Sequence, residues 1–248
     1  MMDRIRGILF DLGDTLLDFA PVDIRVMFEA GARLAYEYLQ GLGQPVPSFA
    51  KFHRKQLWAI RWSYLKSRVT RREFNSLELI GRVGKSMGHD LTDEQMAHLA
   101  WLWYEPLSRC ASVEAGLGDL LHAFRDAGLT LGLVSNTFVP AEVLDKHLRQ
   151  EGLLEFFPVR VYSCEVRYRK PSPEVFRIAL ERTGLEPSQA LFVGDSLQAD
   201  IDGANRAGLV SVLKDPKGRH DNTRIKPAYR IRRLTELPAI IDRHNQGD

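Results

Sequence analysis

The spacing of apolar and polar positions changes character twice along the chain. Residues 5–11 form a short apolar run that stops abruptly at Asp11. A run of this length bounded by turn residues predicts a buried strand. Gly13 and Thr15 just beyond it suit a tight turn. From 18 to 110 the period lengthens to that of a helix. Ile24, Met27, Phe28, Leu34 and Leu39 predict a helix over 22–40, stopped by Gly41-Leu42-Gly43-Gln44-Pro45. A second helix is predicted over 49–65, from Phe52, Leu57, Trp58, Trp62 and Leu65, and a third over 71–85, ended by Gly88. Thr92 caps a fourth that reaches Trp103, with Asp93 and Glu94 in its first turn. Aromatic residues at helical spacing usually pack on one another, so Trp58, Trp62, Trp101 and Trp103 are expected to form the core of this segment.

From Ser112 onward the pattern alternates. Helices are predicted over 117–127, 140–150, 173–183, 197–207 and 237–243, and strands over 129–134, 159–163, 190–193, 209–213 and 229–231. Strands alternating with helices predict an α/β fold, a parallel sheet covered on both faces. The helical segment separates the first strand from the others. The expected division is therefore a core of residues 1–17 and 111–248 and an inserted all-helical unit of residues 18–110.

Composition narrows the class. The 248 residues are 44% apolar and 27% charged, with a formal net charge of +2, as in ordinary soluble proteins. That charge gives no reason to expect a nucleic-acid partner. No stretch approaches the roughly 18 apolar residues of a membrane span, so no membrane partner is expected. Cys110 and Cys164 match no CxxC spacing, and the early apolar run is too short for a signal peptide, so a reduced cytoplasmic setting is expected. The seven histidines show no zinc spacing. The stretch 51–72 carries Lys51, Arg54, Lys55, Arg61, Lys66, Arg68, Arg71 and Arg72 and no acid. A solvated helix face is the simpler account, and steering of a phosphorylated substrate the functional one. The basic run 214–233 receives no role.

In a parallel sheet all strand C-termini lie on one edge, where such folds bind ligands. Asp11, Ser135-Asn136 and Asp195 each follow a predicted strand; Asp200 lies five residues beyond Asp195, and Lys170 precedes the helix over 173–183. Clustered carboxylates repel unless a cation neutralises them. Magnesium suits one or two carboxylates plus a substrate phosphate, and a carboxylate can also attack phosphorus.

Four motifs in order, Phe10-Asp11-Leu12-Gly13-Asp14-Thr15-Leu16, Leu133-Val134-Ser135-Asn136, Arg169-Lys170-Pro171-Ser172-Pro173 and Val193-Gly194-Asp195-Ser196-Leu197-Gln198-Ala199-Asp200, resemble those of the haloacid dehalogenase-like (HAD) superfamily. The helical segment after the first motif is similar in position to that family's C1 cap. The resemblance implies a Rossmann-like core with an inserted helical cap and a Mg2+-dependent phosphatase of a small phosphorylated metabolite, working through an aspartyl-phosphate. It implies Asp11 as nucleophile and metal ligand, with the Gly13 carbonyl, Asp195 and Asp200 completing the metal site. Ser135, Asn136 and Lys170 would hold the phosphate, and Lys170 would also orient Asp11.

One position departs from the pattern. Most phosphatases of the family carry a second Asp where this chain has Gly13. General acid–base help is typically worth ~100–10,000-fold. An acyl or anomeric phosphate needs less of it. Asp14, next in line, reads as a turn residue bonding local backbone. Gly13 leaves two alternatives: a phosphate-binding or regulatory protein without turnover, and a 2-haloacid dehalogenase attacking carbon. An apolar cap surface leaves a homodimer open.

Overall fold

The structure, a computed structural model, describes residues 3–70, 72–220 and 224–247. The opening apolar run forms β1 (Gly7–Phe10). The chain then makes β2 (Leu17–Phe19), four helices, α1 (Ile24–Gly41), α2 (Phe49–Thr70), α3 (Ser76–Lys85) and α4 (Asp93–Ser108), and β3 (Ala111–Val113). Helices and strands alternate thereafter: α5 (Leu117–Asp126), β4 (Thr130–Ser135), α6 (Ala141–Gln150), β5 (Val159–Tyr162), the short α7 (Ser163–Val166), α8 (Pro173–Thr183), β6 (Ala190–Gly194), α9 (Asp202–Arg206), β7 (Val210–Lys214), β8 (Tyr229–Ile231) and α10 (Leu237–Gln246).

Six strands make one sheet, in the order β5-β4-β1-β6-β7-β8, with every pair parallel. β1 is central, and successive side chains of a strand face opposite ways. Ile8 and Phe10 therefore join Leu131, Leu133, Leu191 and Val193 on one face, while Leu9 joins Val134, Phe192, Val175 and Phe176 on the other. Burial on both faces is why these strands read as continuous apolar runs.

The helical segment leaves and re-enters through a ribbon that periodicity did not reveal. β2 and β3 pair antiparallel, Leu17 opposite Val113 and Phe19 opposite Ala111. Three-residue strands are too short to leave a pattern. The insert has its own small core of Ala35, Leu39, Phe52, Ile80 and Leu99. α1 lies so close to α4 that a Cβ at Gly31 would run into the Trp103 carbonyl.

Two expectations need correction. The tryptophans do not share a core. Trp103 packs on Phe28 with ring centroids 4.9 Å apart, and Trp101 lies under the Lys146 ammonium at the insert–core junction. Trp58 and Trp62 are 66% and 68% exposed. The outer face of α2 is solvated, so its helical spacing does not imply burial; the bases Lys51, Arg54, Lys55, Arg61, Lys66 and Arg68 are exposed as well. The third helix begins at Ser76, capped by Asn75, rather than at 71. Arg72 instead bridges to Tyr168, while Arg71 lies outside the described residues. No helix among the described residues is long and apolar enough to cross a membrane.

Candidate active site

Each predicted site residue sits at the C-terminal edge of the sheet for a local reason. Asp11 directly follows β1, its backbone N–H donating to the Val193 carbonyl at 2.9 Å. Ser135 ends β4, and Asp195 follows β6. After Ser196 the chain makes a wide turn over Leu197–Ile201, in which the Ile201 N–H reaches the Ser196 carbonyl, before α9 begins. The sequence predicts one continuous helix over 197–207. The wide turn, a form frequent at functional sites, buries Asp200 and lets its Oδ2 accept from the Ser196 N–H at 2.9 Å. A Cβ on Gly194 would run into that carboxylate, so the close approach requires glycine.

Lys170 joins the set. Its Nζ donates to Asp11 Oδ1 at 2.6 Å and lies 2.6 Å from Asp200 Oδ1 as an ion pair. Lys170 is 3% exposed and Asp200 1%. Carboxylate oxygens of Asp11, Asp195 and Asp200 all lie within 4.8 Å of one another. Desolvation pushes the Asp11 carboxyl up to about 6, with Lys170 pulling it down and Asp200 pushing it up. Desolvation also raises Asp195, to about 7, aided by Asp11, Asp200 and Asp14. For Lys170, burial works against the charge, but Asp11 and Asp200 outweigh it and the pKa is raised. One ammonium thus pairs with two of three crowded carboxylates.

A cleft of about 430 Å³ opens over Asp11, Gly13, Ser135, Asn136, Lys170 and Asp200. Asp195 opens instead onto a neighbouring hollow shared with Asp14, Asp18 and Lys214. Asp14 borders both. It adopts a left-handed backbone, φ 55°, and accepts from the Phe19 N–H at 3.3 Å, as a turn residue would. Gly13 needs no glycine: its φ is not positive, and a Cβ there would touch only Phe19, at 3.8 Å.

Several residues escaped sequence reasoning. Asn136 is expected to meet the phosphate through its backbone, and its side chain, given no role by the sequence, clamps the Lys170 backbone. Its Nδ2 donates to the Lys170 carbonyl at 2.9 Å and its Oδ1 accepts from the Lys170 N–H at 2.7 Å. Glu73, 5% exposed, sits beside Arg169: Ser67 Oγ donates to it at 2.9 Å and the Arg169 guanidinium lies 3.5 Å away. Lys214, the first of the basic run 214–233, is buried and donates to the Thr15 carbonyl and to Asp18, both at 2.8 Å, pinning the loop after Asp11. Apart from Ser67 and Glu73, six residues from each other, these partners are 34 to 199 residues apart in sequence, so no spacing could have exposed them.

Comparison with known proteins adds a lineage to this geometry. A family model described as haloacid dehalogenase-like hydrolase matches residues 5–208. A glyceraldehyde 3-phosphate phosphatase of Methanopyrus kandleri is 35% identical over 127 residues, 49% of this chain and 53% of that protein, so the match spans about half of the relative. A phosphoglycolate phosphatase of Salmonella typhi is 30% identical over 230 residues, 85% of this chain and 81% of the relative. Among solved structures, a 2-haloacid dehalogenase of Pseudomonas syringae pv. Tomato superposes with a TM-score of 0.68 at 26% identity, covering 96% of this chain and 99% of that one. YfnB of Bacillus subtilis, solved bound to magnesium, gives 0.59 at 26% identity, covering 97% and 100%.

Proposed function

Because the chain belongs to the haloacid dehalogenase-like hydrolases, we propose that it is a magnesium-dependent phosphatase of a small phosphorylated metabolite. Residues 18–110 act as a cap over a core of residues 1–17 and 111–248, closing the cleft to water. The observation that carries this reading is the Lys170 ammonium, 2.6 Å from both Asp11 and Asp200 on the cleft floor.

The donor set suits a hard divalent cation. Three carboxylate oxygens within 4.8 Å of one another are the ligand type magnesium selects. Burial first, and then the neighbouring charges of Asp11, Asp200 and Asp14, raise the Asp195 pKa beyond what Lys170 offsets. Asp11, Asp195 and the Gly13 carbonyl would hold the cation, with Asp200 behind them. When bound, it would screen the phosphate's charge from the attacking carboxylate.

The chain's own residues do the rest. Lys170 holds Asp11 Oδ1, leaving Oδ2 to attack phosphorus. The bond between phosphorus and the leaving oxygen breaks, and the phosphoryl group rests on Asp11. Ser135 and the Asn136 backbone receive phosphate oxygens, while the Asn136 side chain keeps Lys170 in place. Water then attacks phosphorus, freeing Asp11 and inorganic phosphate. Gly13 brings no acid to the leaving oxygen, which favours substrates whose leaving group departs unprotonated.

The test is phosphate release from a panel of esters and acyl phosphates, with magnesium and with EDTA. Asp11→Asn is expected to lower turnover at least about a thousandfold with its fold intact. Full activity in that variant would discard the mechanism. The superposition on a 2-haloacid dehalogenase and the absence of an acid at Gly13 favour a second reading, attack of Asp11 on carbon with loss of halide. It predicts halide release from 2-haloacids that EDTA does not affect.

A further inference from the structure

Floor and roof of the cleft differ in chemistry. The floor carries Asp11, Ser135, Lys170 and Asp200. The roof consists of Phe19, Tyr64, Glu73, Tyr104 and Leu107. Among the described residues, no lysine or arginine of the insert borders the cleft. The one carboxylate, Glu73, is occupied by Ser67, Ser163 and Arg169. A leaving group carrying its own carboxylate or second phosphate would lose its hydration there and meet only Arg169, already paired with Glu73, in return.

Behind this roof lies a second cavity of about 120 Å³, where α1, α2, α3 and α4 converge. Met27, Phe28, Ile60, Ile80, Ala100 and Trp103 line it. It shares a wall with the cleft: Tyr104, Leu107, Phe138 and Val139 border both. Tyr104 is anchored by a 3.0 Å hydrogen bond to His147, and Phe138 stacks on Phe74 with centroids 5.2 Å apart. An apolar cavity of ~150 Å³ holds a benzene molecule, so this one matches a single ring or a branched chain.

We propose that the apolar cavity is the leaving-group subsite of the cleft, and that the substrate is an activated phosphate, above all an acyl phosphate, whose uncharged leaving group ends in an apolar ring or branched chain. This deepens the phosphatase reading above and rests on it. The missing acid at Gly13 points the same way. When Asp11 attacks phosphorus, the phosphorus–oxygen bond of an acyl phosphate breaks and its electron pair leaves on a carboxylate, which needs no proton at that step. Water then releases phosphate from Asp11.

The test uses the full chain with magnesium. Hydrolysis of cyclohexanecarbonyl, acetyl and succinyl phosphate is compared, since these release acids of similar strength and differ in the group attached to the acyl carbon. The cyclohexane compound is expected to have a kcat/KM at least about tenfold above acetyl phosphate, because a hydrophobic pocket discriminates by about 10–200-fold per methylene at best. Succinyl phosphate is expected below acetyl phosphate. Met27→Trp, which fills the cavity, and the milder Ile60→Phe are each expected to shrink the cyclohexane advantage, the former by about tenfold. Calorimetry provides a readout free of turnover: cyclohexylmethylphosphonate is expected to bind at least about tenfold tighter than methylphosphonate, a preference lost in Met27→Trp. Turnover of all three acyl phosphates at equal kcat/KM, with equal affinity for the two phosphonates, overturns the subsite and leaves the hydrolase standing. No turnover with the phosphonate preference intact overturns the acyl-phosphate substrate and keeps the subsite. No turnover and no preference overturns both.

Discussion

At the scale of single residues, the loop after β1 has its backbone roles reversed from what composition suggests. The left-handed position belongs to Asp14, while Gly13 has ordinary backbone and open space beside it. Asp tolerates the left-handed region better than most residues, and its side chain bonds the Phe19 N–H in compensation. Gly13→Asp should therefore fold normally, within about 0.5 kcal/mol of the parent by denaturant unfolding. If the missing acid limits catalysis, it should raise turnover of poor-leaving-group esters at least about tenfold; no gain would mean that protonation is not limiting. The carboxylates themselves predict a pH dependence. Burial raises Asp11 to about 6 and Asp195 to about 7, both above the ordinary 3.8. A cation binds the ionised forms, so protons compete with it as pH falls through these values. Magnesium affinity measured by calorimetry should drop at least about tenfold between about pH 8 and about pH 5.5; a flat profile would remove these groups from the metal site.

At the scale of elements, the site depends on how strand ends are finished. β1, β4 and β6 are adjacent in the sheet, so Asp11, Ser135 and Asp195 arrive at one edge without further help. Asp200 and Lys170 do not lie on strands. They reach the site through the wide turn over Leu197–Ile201 and the Asn136 clamp. The insert is held by a different device, the close approach of α1 to the α4 backbone at Gly31. Gly31→Ala should force these helices apart and cost about 1–3 kcal/mol of stability, read as a lower unfolding midpoint. Unchanged stability would show that the contact yields freely.

At the scale of the whole molecule, insert and core are joined beside the site rather than far from it. Ser67 and Glu73 of the insert meet Ser163 and Arg169 of the core, the residue before Lys170. The Ser76 N–H donates to the Phe138 carbonyl at 2.8 Å, and Glu78 pairs with Arg167 at 2.6 Å. Substituting Glu73→Gln keeps the shape and removes the charge facing Arg169. Because Arg169 is partly exposed, the expected loss is about 1–3 kcal/mol, with a fall in kcat as the Lys170 loop loosens. Parent-like unfolding and kcat together would limit Glu73 to filling space.

Much was readable from the chain alone. The sheet, its parallel sense and the helical insert follow from local periodicity, because a strand buried on both faces and a helix with one apolar stripe leave different spacings. Asp11, Ser135 and Asp195 were legible because a parallel sheet sends every strand end to the same edge. Tertiary structure alone decided the rest. Trp58, Trp62 and Trp101 all lie at helical spacing, yet only packing determined that Trp101 is buried and the other two exposed. The β2–β3 ribbon, the Asn136 clamp, the Glu73 network and the apolar cavity join segments distant in sequence. Such contacts depend on how whole elements settle against one another, and no local pattern records that.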